Sequence, residues 1–411
     1  MNLSMSQRDT CRLCKSKKLE KVLPLTPTAL CDVYLHSDSV DKVQEIYPLD
    51  LFLCLDCGYV HLPYVVDPEI IYRDYIYVST SSLGLSKHFQ DYSEKVLRRV
   101  NPSKNSLVVD LGSNDGTLLK FFKNKGMRVL GIEPANEIAK KASKEGVDTI
   151  PEFFNSKLAE RIKNDYGTAG IITINNLFAN IDDLEETAKS VKQLLAQDGV
   201  FIIESSYLGD MIKNMIFDFI YHEHLSYFSV KPLVKFFSRF GMELIDIERV
   251  PTKGGSLRYY FQHKNAGRAI SPAVNDMMNY EKSLKLDSIE TFKNFSIKIG
   301  DIKAKLNNCL SRIKAENKII AGYGASATTT TLVYHLGLAE MIDYIVDDNI
   351  AKHNTFSPGY HIPVLPSEVL HKEKPDYILI LAWRYTEAIV EKQKMFLKQD
   401  GRFIVPLPEV K

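Results

Sequence analysis

Short apolar runs alternate with stretches of helical periodicity through the middle of the chain. Buried parallel strands are predicted where the apolar runs lie, at 106–111, 127–132, 170–175 and 199–204. Amphipathic helices are predicted between them, at 116–124, 138–144 and 184–195. This alternation is typical of an α/β fold with a doubly wound sheet, and runs at 243–249 and 256–262 predict an antiparallel extension of it.

The pattern changes on both sides of this region. Short β-type runs at 51–55 and 59–62 lie in a cysteine-rich segment before residue 70. After residue 275, a long polar helical pattern at 276–314 precedes a second set of apolar runs, at 318–322, 341–346 and 377–383. We therefore predict three units, 1–70, 71–275 and 276–411, the last of them also α/β.

Composition narrows the class of protein. The chain is 45% hydrophobic and 25% charged with a net charge of +1, which gives no field that would attract nucleic acid or a membrane surface. No apolar run approaches the roughly 20 residues of a transmembrane helix, and the polar N-terminus resembles no signal peptide. We expect a cytoplasmic protein whose six cysteines are reduced.

Four cysteines form two Cys-x-x-Cys pairs, Cys11 with Cys14 and Cys54 with Cys57. Two such turns complete a closed tetrahedral thiolate site, which predicts a structural zinc ion in the first unit. The alternatives are a coincidental arrangement or a redox motif, although redox chemistry needs one pair alone.

The loop after the first buried strand has the order Asp110-x-Gly112-x-Asn114-x-Gly116. Small residues allow a ligand close to the backbone, and the next helix presents its N-terminus there. The loop resembles the first motif of class I methyltransferases, with Asn114 at a glycine position, where asparagine tolerates left-handed dihedrals. NAD is the alternative ligand, but the order fits a dinucleotide turn poorly.

The ends of the following strands carry further candidates for a cofactor site. Glu133, which Pro134 follows, ends the second strand, where a carboxylate accepts hydrogen bonds from ribose hydroxyls. The alternative is that Glu133 is an ordinary acidic residue at the end of a strand and binds no ligand. Residues that would flank adenine or face a methionine group follow the next two strands: Phe154, Asn155, Asn175 and Asn176.

A polar and aromatic cluster at 218–228 follows the strand at 199–204, at the sheet edge where ligands bind in this class of fold. It holds Tyr221, His222, Glu223 and His224 and so combines a base, a supporting acid and a phenol donor. A metal site is the alternative, but the two histidines are two residues apart and lack an obvious third ligand.

The motifs together resemble the sugar C-methyltransferase family that acts on nucleotide-linked 4-keto-6-deoxyhexoses, usually at C-3. The resemblance covers the whole chain through the cysteine pairs, the 107–116 loop, the 131–134 strand end, the 221–228 cluster, and the runs 254–258 and 322–326. It implies a zinc domain, an S-adenosylmethionine domain and a C-terminal α/β domain that helps to hold the nucleotide.

The resemblance also implies roles for particular residues. His224 would remove the C-3 proton, with Tyr221 as a donor to the enolate and Glu223 supporting the histidine. Further contacts to the substrate would come from residues in all parts of the chain: Tyr75 or Tyr77, Asn180, His222, Lys253, Arg258, Tyr323 and Ser326. Lys253 and Arg258 would neutralise its pyrophosphate, and a surface salt bridge is the alternative for both, although less so for Arg258 in mid-strand.

Two positions depart from the family pattern. Asn180 stands where relatives commonly carry a histidine, so a proton relay there is in doubt, and Thr328 stands near a common lysine position.

Two rival hypotheses are a methyltransferase with another small-molecule acceptor and a zinc-knuckle binding module, which the neutral charge disfavours. We expect a monomer because no exposed apolar stripe is evident.

Overall fold

The computed structural model describes residues 4–72 and 84–411. The N-terminal region contains five strands: β1 (Met5–Gln7), β2 (Leu19–Leu23), β3 (Leu51–Cys54), β4 (Val60–His61) and β5 (Tyr64–Val66). β1 pairs with β5, and β2, β3 and β4 form an antiparallel sheet. A fourth strand of that sheet, β11 (Ser226–Tyr227), comes from the predicted catalytic cluster.

A seven-stranded sheet forms the centre of the molecule. Its strands are β6 (Leu107–Leu111), β7 (Arg128–Ile132), β8 (Thr149–Ile150), β9 (Ala169–Asn175), β10 (Leu195–Ser206), β12 (Met242–Val250) and β13 (Ser256–His263). The order is β12-β13-β10-β9-β6-β7-β8, in which β6 to β10 are parallel and β12 and β13 are antiparallel. The predicted sheet and its antiparallel extension are confirmed.

Helices cover both faces of this sheet. The helices in this part of the chain are α1 (Pro68–Tyr72), α2 (Leu85–Val100), α3 (Thr117–Asn124), α4 (Asn136–Lys144), α5 (Ser156–Tyr166), α6 (Leu184–Leu194), α7 (Leu208–Lys213) and α8 (Val230–Ser238). Tyr92 and Phe122 of α2 and α3 pack on one face, and α5, α6 and α8 pack on the other. The central strands are therefore buried on both faces, which explains their nearly continuous apolar runs.

The long predicted helix at 276–314 is two helices, α9 (Pro272–Leu284) and α10 (Ile289–Ala315). The break falls at Lys285, whose left-handed backbone (φ 51°) ends α9, and the Ser288 side chain caps α10. The sequence offered no proline or glycine here to mark the break. One face of α10, including Phe295 and Leu306, is buried in a core shared with the N-terminal sheet and the C-terminal domain.

The C-terminal domain has a six-stranded sheet in the order β16-β17-β15-β14-β18-β19. Its strands are β14 (Ile320–Tyr323), β15 (Tyr344–Asp347), β16 (Thr355–Phe356), β17 (Pro363–Pro366), β18 (Tyr377–Ile380) and β19 (Arg402–Ile404). Its helices are α11 (Ala327–Leu336), α12 (Val369–Glu373), α13 (Thr386–Lys392) and α14 (Lys394–Leu397). Within the described residues, no helix is long and apolar enough to cross a bilayer.

Candidate active site

The four predicted metal ligands meet at one point in the N-terminal region. The sulfurs of Cys11, Cys14, Cys54 and Cys57 all lie within 4.8 Å of one another. Two of the separations are 3.7 Å, from Cys11 to Cys57, and 3.5 Å, from Cys14 to Cys54. A tetrahedral zinc ion with Zn–S bonds of about 2.3 Å requires sulfurs roughly 3.8 Å apart, so the donor set fits zinc. All four positions are taken by protein, as in a structural site.

The zinc-binding turn also contacts the polar and aromatic cluster at 218–228, through the buried Arg12 between the first two cysteines. Its guanidinium donates to the carbonyl oxygen of Leu225 at 3.2 Å and to that of Leu62 at 2.6 Å. It also forms an ion pair with Asp182 at 2.9 Å. Since Leu225 follows His224 directly, the folded zinc turn helps to fix the backbone that carries the predicted base.

A cavity of about 330 Å³ lies at the carboxyl ends of β6, β7 and β9, where the sequence predicted the cofactor. Its lining includes most of the predicted cofactor residues: Asp110, Gly112, Asn114, Glu133, Pro134, Phe154, Asn175 and Asn176. Asn114 has a left-handed backbone (φ 49°), as its place in the motif predicted. Gly112 is also left-handed, and a Cβ atom there would lie 2.6 Å from the Leu177 side chain. The loop thus requires these residues for its shape.

Glu133 is held in place by the backbone of two loops. Its Oε2 accepts from the amide of Asn114 at 3.0 Å, and its Oε1 accepts from the amide of Ala135 at 2.9 Å. Burial raises the pKa of the carboxyl, and these two bonds oppose that shift. A carboxylate has about four acceptor sites, so two remain for ribose hydroxyls.

Asp110 supplies a second buried carboxyl. Burial raises its pKa to about 7, while hydrogen bonds from Thr173 (2.6 Å) and Asn175 (3.4 Å) oppose the shift. The Oδ1 atom of Asn175 is buried without a partner among the described residues. Polar atoms that line a cavity and have spare hydrogen-bonding capacity are what a polar cofactor needs.

Two predicted cofactor residues have other roles. The Asn155 side chain caps α5 by accepting from the Leu158 amide, so it is committed to the helix. Gly116 lies outside the cavity lining, and its left-handed turn packs against Val147, which a Cβ atom would approach to 3.1 Å. Phe153, which precedes Phe154 at the same strand end, is 53% exposed and also lines the cavity.

His224 lines a second, smaller cavity adjoining the first. Its Nδ1 lies 3.0 Å from the carbonyl oxygen of Phe219 and donates to it when that nitrogen carries the proton, which leaves Nε2 as an acceptor. The ring stacks on Tyr221 with 4.2 Å between centroids. Burial lowers the pKa of His224 to about 4, with the charge of Lys253 as a further cause. The imidazole is therefore neutral near pH 7 and can accept a proton.

Two neighbours of His224 differ from their predicted roles. The carboxyl of Glu223 lies 3.4 Å from the Cys31 thiol, and the carbonyl of Phe219 takes the supporting position beside the histidine instead. His222 is buried with its Nε2 3.2 Å from the Pro48 carbonyl, outside both cavities. It packs against the N-terminal region and, with Glu223, lines a separate small cavity beside Cys31, so a contact with substrate stays a prediction for His222.

Arg258 also has a structural position. It lies opposite Glu204 on β10 and Glu248 on β12, and its guanidinium pairs with them at 2.7 and 2.9 Å. The side chain is 1% exposed and covers the Tyr92 ring. Because both carboxylates already neutralise it, Arg258 is not available to a pyrophosphate, which corrects its predicted role.

The remaining predicted substrate residues are spread across the site. Asn180 lines the large cavity with its Oδ1 atom buried and unpartnered among the described residues, and Lys253 lines both cavities. In the C-terminal domain, the Tyr323 hydroxyl donates to Asp348 at 3.1 Å, and Ser326 caps α11. The predicted contacts from Tyr75 and Tyr77 fall outside the described residues.

The sequence analysis did not identify the contact that joins the cluster to the C-terminal domain. The buried Asp218 accepts from Arg384 at 2.7 Å and from the indole of Trp383 at 3.0 Å. Arg384 also covers the Phe219 ring and donates to Thr328 at 3.2 Å. The polar Asp218 is the signal that could have indicated this contact, because buried acids are paired.

Comparisons with known protein families match the whole of this architecture. Residues 11–72 match a zinc binding domain, residues 85–247 match a methyltransferase domain, and residues 251–408 match a C-methyltransferase C-terminal domain. The chain is 32% identical to the C-methyltransferase NovU of Streptomyces niveus over 402 residues, which is 98% of this chain and 96% of that protein.

Solved structures resemble part of the chain. One is an S-adenosylmethionine-dependent methyltransferase from Clostridium acetobutylicum (15% identity, TM-score 0.34, 48% of this chain and 96% of that one). Another is the PH0226 protein of Pyrococcus horikoshii (15% identity, TM-score 0.37, 47% of this chain and 99% of that one). The predicted class I methyltransferase fold, the S-adenosylmethionine cofactor and the structural zinc are confirmed by the strand order, the cysteine cluster and the family matches.

Proposed function

Because the chain belongs to the C-methyltransferase family, we propose that it methylates C-3 of a nucleotide-linked 4-keto-6-deoxyhexose, in the biosynthesis of a branched deoxysugar. The observation that carries the proposal is the position of His224. Its Nδ1 faces the Phe219 carbonyl, and the ring lines a cavity beside the cofactor cavity. A base so placed can remove a proton from a carbon that lies next to the methyl donor.

The acceptor carbon must first become a nucleophile. A neighbouring ketone acidifies a C–H bond, and Nε2 of the neutral His224 is the atom that takes this proton. The Phe219 carbonyl then stabilises the imidazolium through the Nδ1–H bond. Tyr221, which stacks on His224, is a candidate hydrogen-bond donor to the enolate.

S-adenosylmethionine supplies a methyl group on a sulfonium, which reacts with a carbon nucleophile without metal activation. Glu133 would bind the ribose hydroxyls, with Gly112 and Asn114 allowing the backbone to approach the ligand. Asp110 would balance the positive charge at the methionine end. These residues position the cofactor, and positioning supplies much of the rate in a bimolecular transfer.

The C-terminal domain would hold the nucleotide of the substrate. The strand–turn–helix unit at β14 and α11 places Gly324, Ser326 and Thr328 at one end of the parallel sheet. Amides at a helix N-terminus bind phosphate oxygens, which supports a diphosphate near Ser326. Tyr323 is less suited to this role because its hydroxyl is already bonded to Asp348. The domain reaches the cluster through Arg384, so a bridging substrate would contact both.

The test is a methyl-transfer assay with a panel of substrates. Purified protein is incubated with S-adenosylmethionine and with nucleoside diphosphate 4-keto-6-deoxyhexoses that differ in base and sugar configuration. The masses of the products are measured by mass spectrometry. A ketosugar that gains one CH₂ supports the proposal. Methylation of 4-hydroxy analogues at the same rate contradicts it, since those sugars cannot form the enolate.

A further inference from the structure

We infer that the ammonium group of Lys253 stabilises the negative charge that develops on the 4-keto oxygen when His224 removes the C-3 proton. This rests on the proposed function. It also gives Lys253 a role in the chemistry, in place of the pyrophosphate contact that the sequence predicted.

Lys253 lies where the two cavities meet. It lines the large cofactor cavity together with Asn176, and both residues also line the smaller cavity that holds His224. A carbon that is deprotonated from one cavity and methylated from the other must lie at this junction. The 4-keto oxygen is attached to the neighbouring carbon, so it lies there too.

The ammonium has no hydrogen-bond or ion-pair partner in the described part of the chain. Burial lowers the pKa of Lys253, and the carboxylates of Glu223 and Glu204 oppose that shift from a distance. Arg384 is the other cation within electrostatic reach, but Asp218 neutralises it at 2.7 Å. Lys253 is half-buried, and a half-buried cation with no counter-ion among the described residues would stabilise an anion bound beside it.

The turn that carries this side chain has a defined backbone shape. Lys253 itself is left-handed (φ 55°), and so are the two glycines that follow it. A Cβ atom at Gly254 would lie 2.5 Å from the Ile216 side chain, and one at Gly255 would lie 2.5 Å from the Asp210 carboxylate. The turn is therefore packed too closely to accept side chains, and its shape is set before substrate binds.

The electron flow identifies the anion. When Nε2 of His224 takes the C-3 proton, the C–H electron pair forms a C3–C4 double bond and the carbonyl π electrons move onto the 4-oxygen. When C-3 takes the methyl group, the carbonyl forms again and S-adenosylhomocysteine leaves with the S–C electron pair. The 4-oxygen is thus negative between the two steps, and a fixed cation lowers the energy of that state more than that of the ketone.

The test separates proton removal from methyl transfer. Wild-type protein, Lys253→Met and Lys253→Arg are mixed with a ketosugar that wild type methylates and with S-adenosylhomocysteine in D₂O, and deuterium at C-3 is followed by NMR. Lys213→Met, which removes an exposed lysine from the end of α7, is the matched control. Affinities for S-adenosylhomocysteine and for the ketosugar are measured by calorimetry on each variant.

We expect Lys253→Met to slow deuterium exchange about 100-fold or more at saturating ketosugar, and Lys253→Arg to be partly active. Lys213→Met should exchange at the wild-type rate. The affinities of the variants for S-adenosylhomocysteine and for the ketosugar should stay within a few-fold of wild type. Normal exchange by Lys253→Met at saturation overturns the inference, and a loss confined to ketosugar affinity assigns Lys253 to the diphosphate. A wild-type protein that neither exchanges nor methylates any ketosugar contradicts the proposed function itself.

Discussion

The carboxylate of Asp218 lies 2.7 Å from the guanidinium of Arg384, and this pair joins the polar and aromatic cluster at 218–228 to the C-terminal domain. Asp218 is fully buried, and Arg384 is 15% exposed on its side chain. The contact fixes the start of the segment that leads to His224. It therefore couples the position of the base to the domain that would hold the nucleotide.

Breaking this pair is expected to destabilise the protein. Asp218→Ala leaves the Arg384 charge unpaired in a mostly buried site and should lower the free energy of unfolding by about 3 kcal/mol. Urea denaturation measures the effect. The matched control is Lys394→Met, which breaks an exposed pair with Glu391 and should cost less than about 0.5 kcal/mol. Equal effects of the two variants would show that the Asp218 pair adds nothing beyond a surface contact.

Loss of the zinc ion is expected to reach the active site. Cys14→Ser removes one thiolate ligand, so metal analysis should show loss of bound zinc, whereas Cys309→Ser outside the cluster should retain it. Because Arg12 in the same turn donates to the Leu225 carbonyl beside His224, methyl transfer should fall as well. A Cys14→Ser protein that loses its zinc but keeps wild-type turnover would mean that the turn holds its shape without metal.

Glu133 is expected to be needed for cofactor affinity. Glu133→Ala removes the remaining acceptor sites for the ribose and leaves the amides of Asn114 and Ala135 unpaired, so affinity for S-adenosylhomocysteine should fall about 10-fold or more. Calorimetry measures the dissociation constant. Glu145→Ala, on the surface beside Lys120, is the control and should stay within about 2-fold of wild type. A Glu133→Ala protein that binds like the control would remove this residue from the cofactor site.

Cofactor binding is expected to depend on pH through Asp110. Burial raises its pKa to about 7, so in the free protein the carboxyl is mostly protonated at pH 6 and mostly ionised at pH 8. The sulfonium is positive at every pH and favours the ionised form, so S-adenosylmethionine should bind up to about 10-fold more weakly at pH 6 than at pH 8. Asp110→Asn should remove most of this slope. A slope that is the same in both proteins would assign it to another group.

The strands and the metal ligands could be predicted because their signals are local. Buried parallel strands such as β6 and β9 need mostly apolar runs, and each Cys-x-x-Cys pair brings two ligands together within one turn. The loop from Asp110 to Gly116 is also local, because its left-handed positions need glycine or asparagine. Each of these features depends on neighbours within a few residues along the chain.

Several side chains had predicted roles that depended on distant partners. The sequence places Arg258 in the middle of a strand. Its position between Glu204 and Glu248 depends on how three strands pair, which the sequence alone does not reveal. Glu223 is next to His224 in sequence yet contacts Cys31 from the N-terminal region. The group that supports His224 is the backbone carbonyl of Phe219. Because every residue has a backbone carbonyl, no residue type in the sequence could have indicated this contact.

The most direct test of the account is the fate of the methyl group in wild type and in His224→Asn. Each protein is incubated with a 4-keto-6-deoxyhexose nucleotide and S-adenosylmethionine carrying an isotopically labelled methyl group, and the product is examined by NMR. We predict a labelled methyl bonded to C-3 for wild type. His224→Asn should give no product while binding S-adenosylhomocysteine normally. A methyl bonded to oxygen or nitrogen, or near-normal turnover by His224→Asn, would contradict the account.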